Sequence, residues 1–312
     1  MGEKIYPNVY SVPENIDLAV IVVPASLVEG VIEDLGKKNV KAAIIITAGF
    51  SEVGSVELER RIVEKAKSYG IRIIGPNCVG ILSTWSGVDT IFLPYTKILS
   101  DEREVLSAPR PGKGYVALIS QSGAVGTAAL DYMAGEGIGL SHFISIGNKA
   151  DIDGVELIEF LREDPYTKVI LLYLENIKDG RKFVEVASKV TKEKPIITLK
   201  AGRTSAGKRA AASHTAAVAG IDEIYEAAFR RAGVIRANDI EELFDLAKAF
   251  AKQPPARGNR IGIITDGGGA GVMATDMAEI LGLKVPEIRR ETREKLEELR
   301  ERGLLPKICT TY

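Results

Sequence analysis

Short β-branched runs alternate along the chain with longer segments whose apolar residues recur at helical spacing. Leu18-Ala19-Val20-Ile21-Val22-Val23 is apolar at every position, which predicts a strand buried on both faces. The segment that follows, with Ser26 as its cap, predicts a helix to about Lys37. An apolar run over 41–47, an amphipathic stretch over 53–68 and Ile71-Arg72-Ile73-Ile74 continue the alternation. Strands without a polar face, separated by helices, imply a parallel sheet covered by helices, so the expected fold class is doubly wound α/β.

The pattern lapses between about 93 and 113, ending in Ala108-Pro109-Arg110-Pro111-Gly112-Lys113-Gly114, and then restarts. Strands are predicted over 115–120, 141–146, 168–174 and 195–200, with helices near 124–135, 153–162, 179–192, 220–232 and 238–252. A second proline-rich linker at 253–258 precedes a strand over 260–265, a glycine turn and helices near 271–281 and 289–302. Three domains are therefore expected, over 1–108, 109–253 and 258–312. The first has no strand and glycine turn before residue 18, and the third has little more than one βα unit, so both are expected to be partial.

Composition narrows the function. Apolar residues at 46% and charged residues at 27% are ordinary for a folded globular protein. A net charge of −1 gives no electrostatic reason to expect nucleic acid or a membrane surface as a partner. The start of the chain has no apolar signal core and no run is long enough to span a bilayer, which gives a cytoplasmic reading. Two cysteines and two histidines form neither a disulfide framework nor a metal cluster. Local charge is more informative: Lys200, Arg203, Lys208 and Arg209 lie in one small-residue, basic stretch.

That stretch leads into Ser213-His214-Thr215-Ala216-Ala217-Val218-Ala219-Gly220, where a histidine sits among small side chains that allow close approach of an anion. An ordinary surface or helix-start histidine has the same surroundings. Strand-to-helix turns supply further candidates. In Ser120-Gln121-Ser122-Gly123-Ala124 the chain passes from a strand into an Ala-rich helix, whose first N–H groups suit a phosphate; glycine here also serves packing alone. Ile74-Gly75-Pro76-Asn77-Cys78 and the strand ends Val23-Pro24 and Ile46-Thr47-Ala48 sit where open parallel sheets bind ligands, although Cys78 taken alone reads as a buried thiol. Asp266-Gly267-Gly268-Gly269 is too irregularly spaced for a dinucleotide fingerprint. Glu175 ends an apolar strand, either as a solvated terminus or as a carboxylate able to orient an imidazole.

Taken in order, Gly75-Pro76-Asn77-Cys78-Val79-Gly80, Ser120-Gln121-Ser122-Gly123, Gly147-Asn148-Lys149-Ala150-Asp151, Tyr173-Leu174-Glu175-Asn176 and Ser213-His214-Thr215 resemble the nucleoside-diphosphate-forming acyl-CoA synthetases. The likeness is to the α subunits of the ADP-forming acetyl-CoA synthetases, with succinyl-CoA synthetases as more distant relatives. It implies a partial Rossmann-like CoA-binding domain, a flavodoxin-like ligase domain and the start of a third flavodoxin-like domain. It makes His214 a phosphohistidine and Glu175 the carboxylate that orients it, with Ser122, Gly123 and Ala124 holding the phosphoryl group. Val23, Pro24, Ile46, Thr47 and Ala48 then contact CoA, with Asn77 and Cys78 in the adjoining turn.

The implied reaction converts acyl-CoA and phosphate to acyl phosphate and CoA, moves the phosphoryl group to His214 and delivers it to ADP. In that family ATP or ADP and Mg2+ bind an ATP-grasp domain. No segment here reads as one, so the resemblance implies an ATP-grasp β subunit as partner in a hetero-oligomer, with a small carboxylic acid as substrate. The alternative is a non-catalytic CoA- or phosphate-binding module, shortened at both ends.

Overall fold

The computed structural model describes residues 5–207, 209, 221–305 and 310–311. They fall into two compact units that divide between Gln253 and Pro254.

In the first unit, β1 (Leu18–Ile21), α1 (Ala25–Lys37), β2 (Ala42–Ile45), α2 (Val56–Ser68) and β3 (Arg72–Ile74) build a parallel three-stranded sheet in the order β1-β2-β3. Ile21, Val28, Ile32, Ile45, Ile62 and Ile73 form its buried core. Lys65 on α2 reaches Glu29 and Glu33 on α1 at 3.4 and 3.3 Å; such partly exposed pairs add little to stability. Ser26, expected to cap α1, instead lies in its first turn. The helix starts directly after Pro24, which stands at the cap position with φ −50° and supplies no side-chain hydrogen bond.

The second sheet draws on β4 (Ile81–Ser83), β5 (Val88–Asp89), β8 (Lys113–Ser120), β9 (Leu140–Ser145), β10 (Val169–Leu174), β11 (Ile196–Lys200) and β12 (Ile235–Ala237). Its strand order is β12-β11-β10-β8-β9-β4-β5, parallel from β12 to β9, with β4 and β5 added antiparallel. The helices α3 (Gly123–Gly135), α4 (Gly154–Glu163), α5 (Gly180–Val190), α6 (Asp222–Ala232) and α7 (Ile240–Lys252) accompany it. Neighbouring residues on one strand enter different cores. Ile119 and Leu172 pack with Ile158, Phe183 and Phe229, whereas Leu118 and Leu171 pack with Met133, Phe143 and Phe244. The pleat sends successive side chains to opposite faces, so the unbroken apolar runs are what a sheet covered on both sides requires.

The pattern did not disclose β4, β5, β12, or the separate ribbon of β6 (Thr96–Ile98) and β7 (Glu104–Leu106). Each has two or three residues, too few to show a period, and their pairing is a tertiary event. β4 and β5 precede the proline–glycine cluster at 108–114 and yet pair into the sheet that follows it.

The second unit contains β13 (Ile264–Thr265), α8 (Gly268–Ile280), α9 (Arg290–Glu301) and β14 (Thr310–Thr311), with β13 and β14 antiparallel. The strand expected over 260–265 is reduced to its last two residues plus a bridge from Arg260 to Lys284. Gly268 and Gly269, read as turn, begin α8 instead; glycine's low helix propensity gives the same signal for a loop and for a tolerated first turn. Among the described residues no helix is long and apolar enough to cross a membrane.

One buried carboxylate fastens the two sheets of the first unit. Asp151, whose side chain is 6% exposed, accepts from Arg72 Nε at 2.9 Å and from the Ile73 amide at 2.9 Å, while Arg72 Nη1 donates to Glu156 at 2.7 Å. Asp151→Ala leaves the amide and the guanidinium short of an acceptor, and should lower the unfolding free energy by about 1–3 kcal/mol. Urea unfolding followed through Trp85, the single tryptophan, measures this. Arg61→Ala, on the exposed α1–α2 surface, should change it by less than about 0.5 kcal/mol.

Candidate functional site

In the strand order β9-β8-β10-β11-β12 the direction of winding reverses between β8 and β10. The chain leaves these two strands on opposite sides, which opens a crevice beyond their carboxyl ends where ligands bind in open parallel sheets. Two of the candidate segments flank this point. Ser122 follows β8 and is the N-cap of α3, its Oγ accepting from the Val125 amide at 3.3 Å. Gly123 and Ala124 open the helix, and the N–H groups of a first turn have no acceptor within their own helix. Gly123 is required by close packing, since a Cβ there would lie 2.6 Å from Val79 Cγ2. Glu175 comes directly after β10.

Gln121 joins the two sides. Its amide donates to Tyr173 O at 3.1 Å, and its side-chain Oε1 accepts from the amides of Glu175 at 2.9 Å and Asn176 at 3.2 Å. Lys149 approaches from the loop after β9, donating from Nζ to Asn176 O at 2.6 Å and to Gln121 Oε1 at 3.4 Å. Sequence reasoning assigned no role to Gln121 or Lys149. The available signal was a long polar side chain directly after the apolar strand β8, and another shortly after β9.

A second group of candidates gathers at the carboxyl ends of β1, β2 and β3. Thr47 Oγ1 donates to Val23 O at 2.7 Å, Ile46 N donates to Ile21 O at 3.0 Å, and Asn77 N donates to Thr47 O at 2.9 Å. Val23, Ile46, Thr47 and Asn77 are thus held together, with Pro24 and Ala48 exposed beside them. Cys78 shares the turn through its backbone only. Its thiol is 4% exposed, faces Ile45 O at 3.3 Å, and is pushed by burial to a pKa of about 12.

The loop 147–150 spans both groups. Asn148 N donates to Pro76 O at 2.9 Å and Ala150 N to Gly75 O at 3.0 Å. Gly147 has φ +50°, and a Cβ there would come within 2.2 Å of Pro76 O, so only glycine permits this approach. The Asn148 side chain accepts from Asn77 Nδ2 at 3.2 Å and donates to Glu52 and Glu59 at 2.6 and 2.8 Å. Burial alone would raise the Glu52 carboxyl, but the Asn148 amide and the Gly49 N–H outweigh it and hold the group below its usual range. Glu52, which shapes the turn after Ala48 through the Gly49 and Phe50 amides, was another residue missed from sequence.

His214 lies outside the described residues, as does Cys309. A separate apolar cavity of about 590 Å³, walled by Leu18, Ile74, Trp85, Phe160 and Tyr166, contains none of the candidate residues.

The fold is α/β, with two adjoining groups of candidate residues at strand ends, and the comparisons agree with that fold. The family described as "CoA binding domain" matches residues 1–84, and the "Succinyl-CoA ligase like flavodoxin domain" matches residues 113–250. The chain is 50% identical over 298 residues to an ADP-forming acetate–CoA ligase of Methanocaldococcus jannaschii, covering 96% of this chain and 40% of that protein. It is 48% identical to the α subunit of ADP-forming acetate–CoA ligase I of Pyrococcus furiosus, covering 90% of this chain and 58% of that subunit. The solved dinucleotide-forming acetyl-coenzyme A synthetase 1 of Candidatus Korarchaeum cryptofilum, in complex with phosphate and ADP, superposes with a TM-score of 0.86 at 44% identity, over 96% of this chain and 62% of that one. Over 90–96% of its length the chain is thus similar to ADP-forming acetate–CoA ligases and their α subunits. It spans between 40% and 62% of the length of these relatives.

The buried thiol gives a direct check of the turn at the β1–β3 strand ends. With a pKa of about 12, roughly one Cys78 in 10⁴ is thiolate near pH 8. Ellman's reagent should therefore modify native wild type and native Cys78→Ser to the same extent, the difference of one thiol emerging only in denaturant.

Proposed function

We propose that this chain is the α-type component of an ADP-forming acyl-CoA synthetase, which interconverts acyl-CoA, ADP and phosphate with a carboxylic acid, CoA and ATP. One observation carries the reading: Gln121 binds the start of the Ser122–Gly123 helix and the amide of Glu175 into one wall of the β8–β10 crevice. A cradle for a phosphoryl group and a carboxylate able to orient an imidazole are both needed for phosphohistidine chemistry, and both candidates flank the same crevice. His214 enters through the Ser213-His214-Thr215 segment of the sequence.

In this reading Glu175 accepts a hydrogen bond from one imidazole nitrogen, which fixes the tautomer and leaves the other nitrogen nucleophilic. That nitrogen attacks the phosphorus of the acyl phosphate. The P–N bond forms as the bond to the acyl oxygen breaks, and the carboxylate leaves. Ser122, Gly123 and Ala124 direct N–H groups and the positive end of α3 at the phosphoryl oxygens. CoA is the substrate at the carboxyl ends of β1, β2 and β3, where Val23, Pro24, Ile46 and Ala48 offer small or apolar walls and Asn77 a polar one. Such walls suit a flexible thiol-bearing arm, and Cys78 takes no chemical part. ATP or ADP and Mg2+ are assigned to an ATP-grasp partner subunit, in a cytoplasmic hetero-oligomer.

Incubating the chain with an ATP-grasp partner and γ-labelled ATP should give an acid-labile, base-stable label that disappears in His214→Ala. Glu175→Gln should slow labelling by about 10²-fold or more. Wild-type chain that binds CoA in a calorimeter yet never takes the label would instead make it a binding module.

A further inference from the structure

Lys149 is a buried ammonium that the proposed reaction does not yet use. It is 4% exposed and sits on a backbone with φ +49°. Burying an ammonium is costly unless it is hydrogen-bonded, and a loop that only had to fill space would carry an apolar side chain here. Its hydrogen bonds go to two acceptors, Asn176 O at 2.6 Å and Gln121 Oε1 at 3.4 Å. Gln121 Oε1 in turn takes the amides of Glu175 and Asn176. Residues 175–176 are thus held from their amide side by Gln121 and from their carbonyl side by Lys149. The loop bearing Lys149 is itself anchored: its amide donates to Ile146 O at 2.8 Å, its carbonyl accepts from Lys178 Nζ, and Asn148 and Ala150 bond to the Gly75–Pro76 turn. A cavity of about 20 Å³, room for one water, adjoins it between Asp153, Asn176 and Lys178.

We propose that Lys149 is a positioning residue, whose ammonium acts with the Gln121 amide to keep Glu175 in register with the amino end of α3. The proposal rests on the phosphoryl-transfer reading above and adds to it the device that sets the distance between its two halves. The charge on the group is adjustable. Burial, and after it the Lys178 ammonium, lower its pKa to about 8, against the opposing pull of Asp153 and Glu175 and with Lys200 adding to the repulsion. Below about pH 8 Lys149 is a cation that serves both acceptors; above it the neutral amine holds them less firmly. Asp153, Glu175, Lys178 and Lys200 face the ammonium and are unchanged in every variant below.

The test compares the His214 labelling rate of wild type, Lys149→Met and Lys149→Arg, each as the full chain with the same partner and γ-labelled ATP, across the range around pH 8. Wild type should slow as pH rises through about 8. Lys149→Met should be slower by roughly 10–10²-fold on the neutral side and lack that decline. Lys149→Arg, which keeps its charge, should recover most of the rate and also lose the decline. Lys149→Met within twofold of wild type, or Lys149→Arg declining as wild type does, overturns the proposal. Should Lys149→Met fail to fold, the pH profile of Lys149→Arg decides alone. If wild type takes no label, the phosphoryl reading fails and the grip is judged separately by amide hydrogen exchange. The Glu175 and Asn176 amides should then exchange about tenfold faster in Lys149→Met, and equal rates overturn the grip.

Discussion

Backbone hydrogen-bonding groups at the ends of β-strands lose their ladder partners, and where two sheets abut, water cannot replace them all. In this protein the carboxyl ends of β3, β8 and β10 meet such a constraint together, and the loop 147–150 with its neighbours meets most of it. Pro76 O and Gly75 O are taken by Asn148 and Ala150, Ser120 O by Ile146, and Asn176 O by Lys149. A buried carbonyl left without a donor costs about 1–3 kcal/mol, so these pairings are obligatory and not ornamental. They demand Gly147 at φ +50°, because any side chain there would displace the Pro76 and Asn77 carbonyls.

The same loop contacts both groups of candidate residues through adjacent residues. Asn148 touches the turn that carries Asn77 and the Glu52 carboxylate behind Ala48, while the next residue, Lys149, touches Gln121 and Asn176.

Much of the framework was legible beforehand. The runs around Ile44, Leu118 and Leu171 are apolar on both faces, as strands inside a covered sheet must be. The ends of the long helices followed within a few residues for the same reason. The run around Val20, expected to be buried on both faces, instead forms the edge strand β1 and leaves Val20 43% and Val22 65% exposed. Legibility failed where the signal is short or ambiguous. β4 and β5 have no periodicity and join a sheet begun later in the chain, Ser26 is a capping residue type at a position that does not cap, and Gly268–Gly269 reads equally as loop or helix start.

For the site, the amino-acid sequence by itself determined which residue types were on offer: a histidine among small residues, a carboxylate after a strand, a serine–glycine helix start, a glycine–proline turn. It also determined that the candidates other than His214 lay close after strand ends, because those residues follow the apolar runs. Only the tertiary structure decided which strand ends become neighbours. The order β9-β8-β10 brings Gln121 against the Glu175 amide, and the loop 147–150 brings Lys149 to Gln121 and Asn176 across gaps of 28 and 27 residues. Strand order and the partners of a buried polar group depend on contacts between segments distant in the chain, whereas periodicity records only what each segment needs to bury.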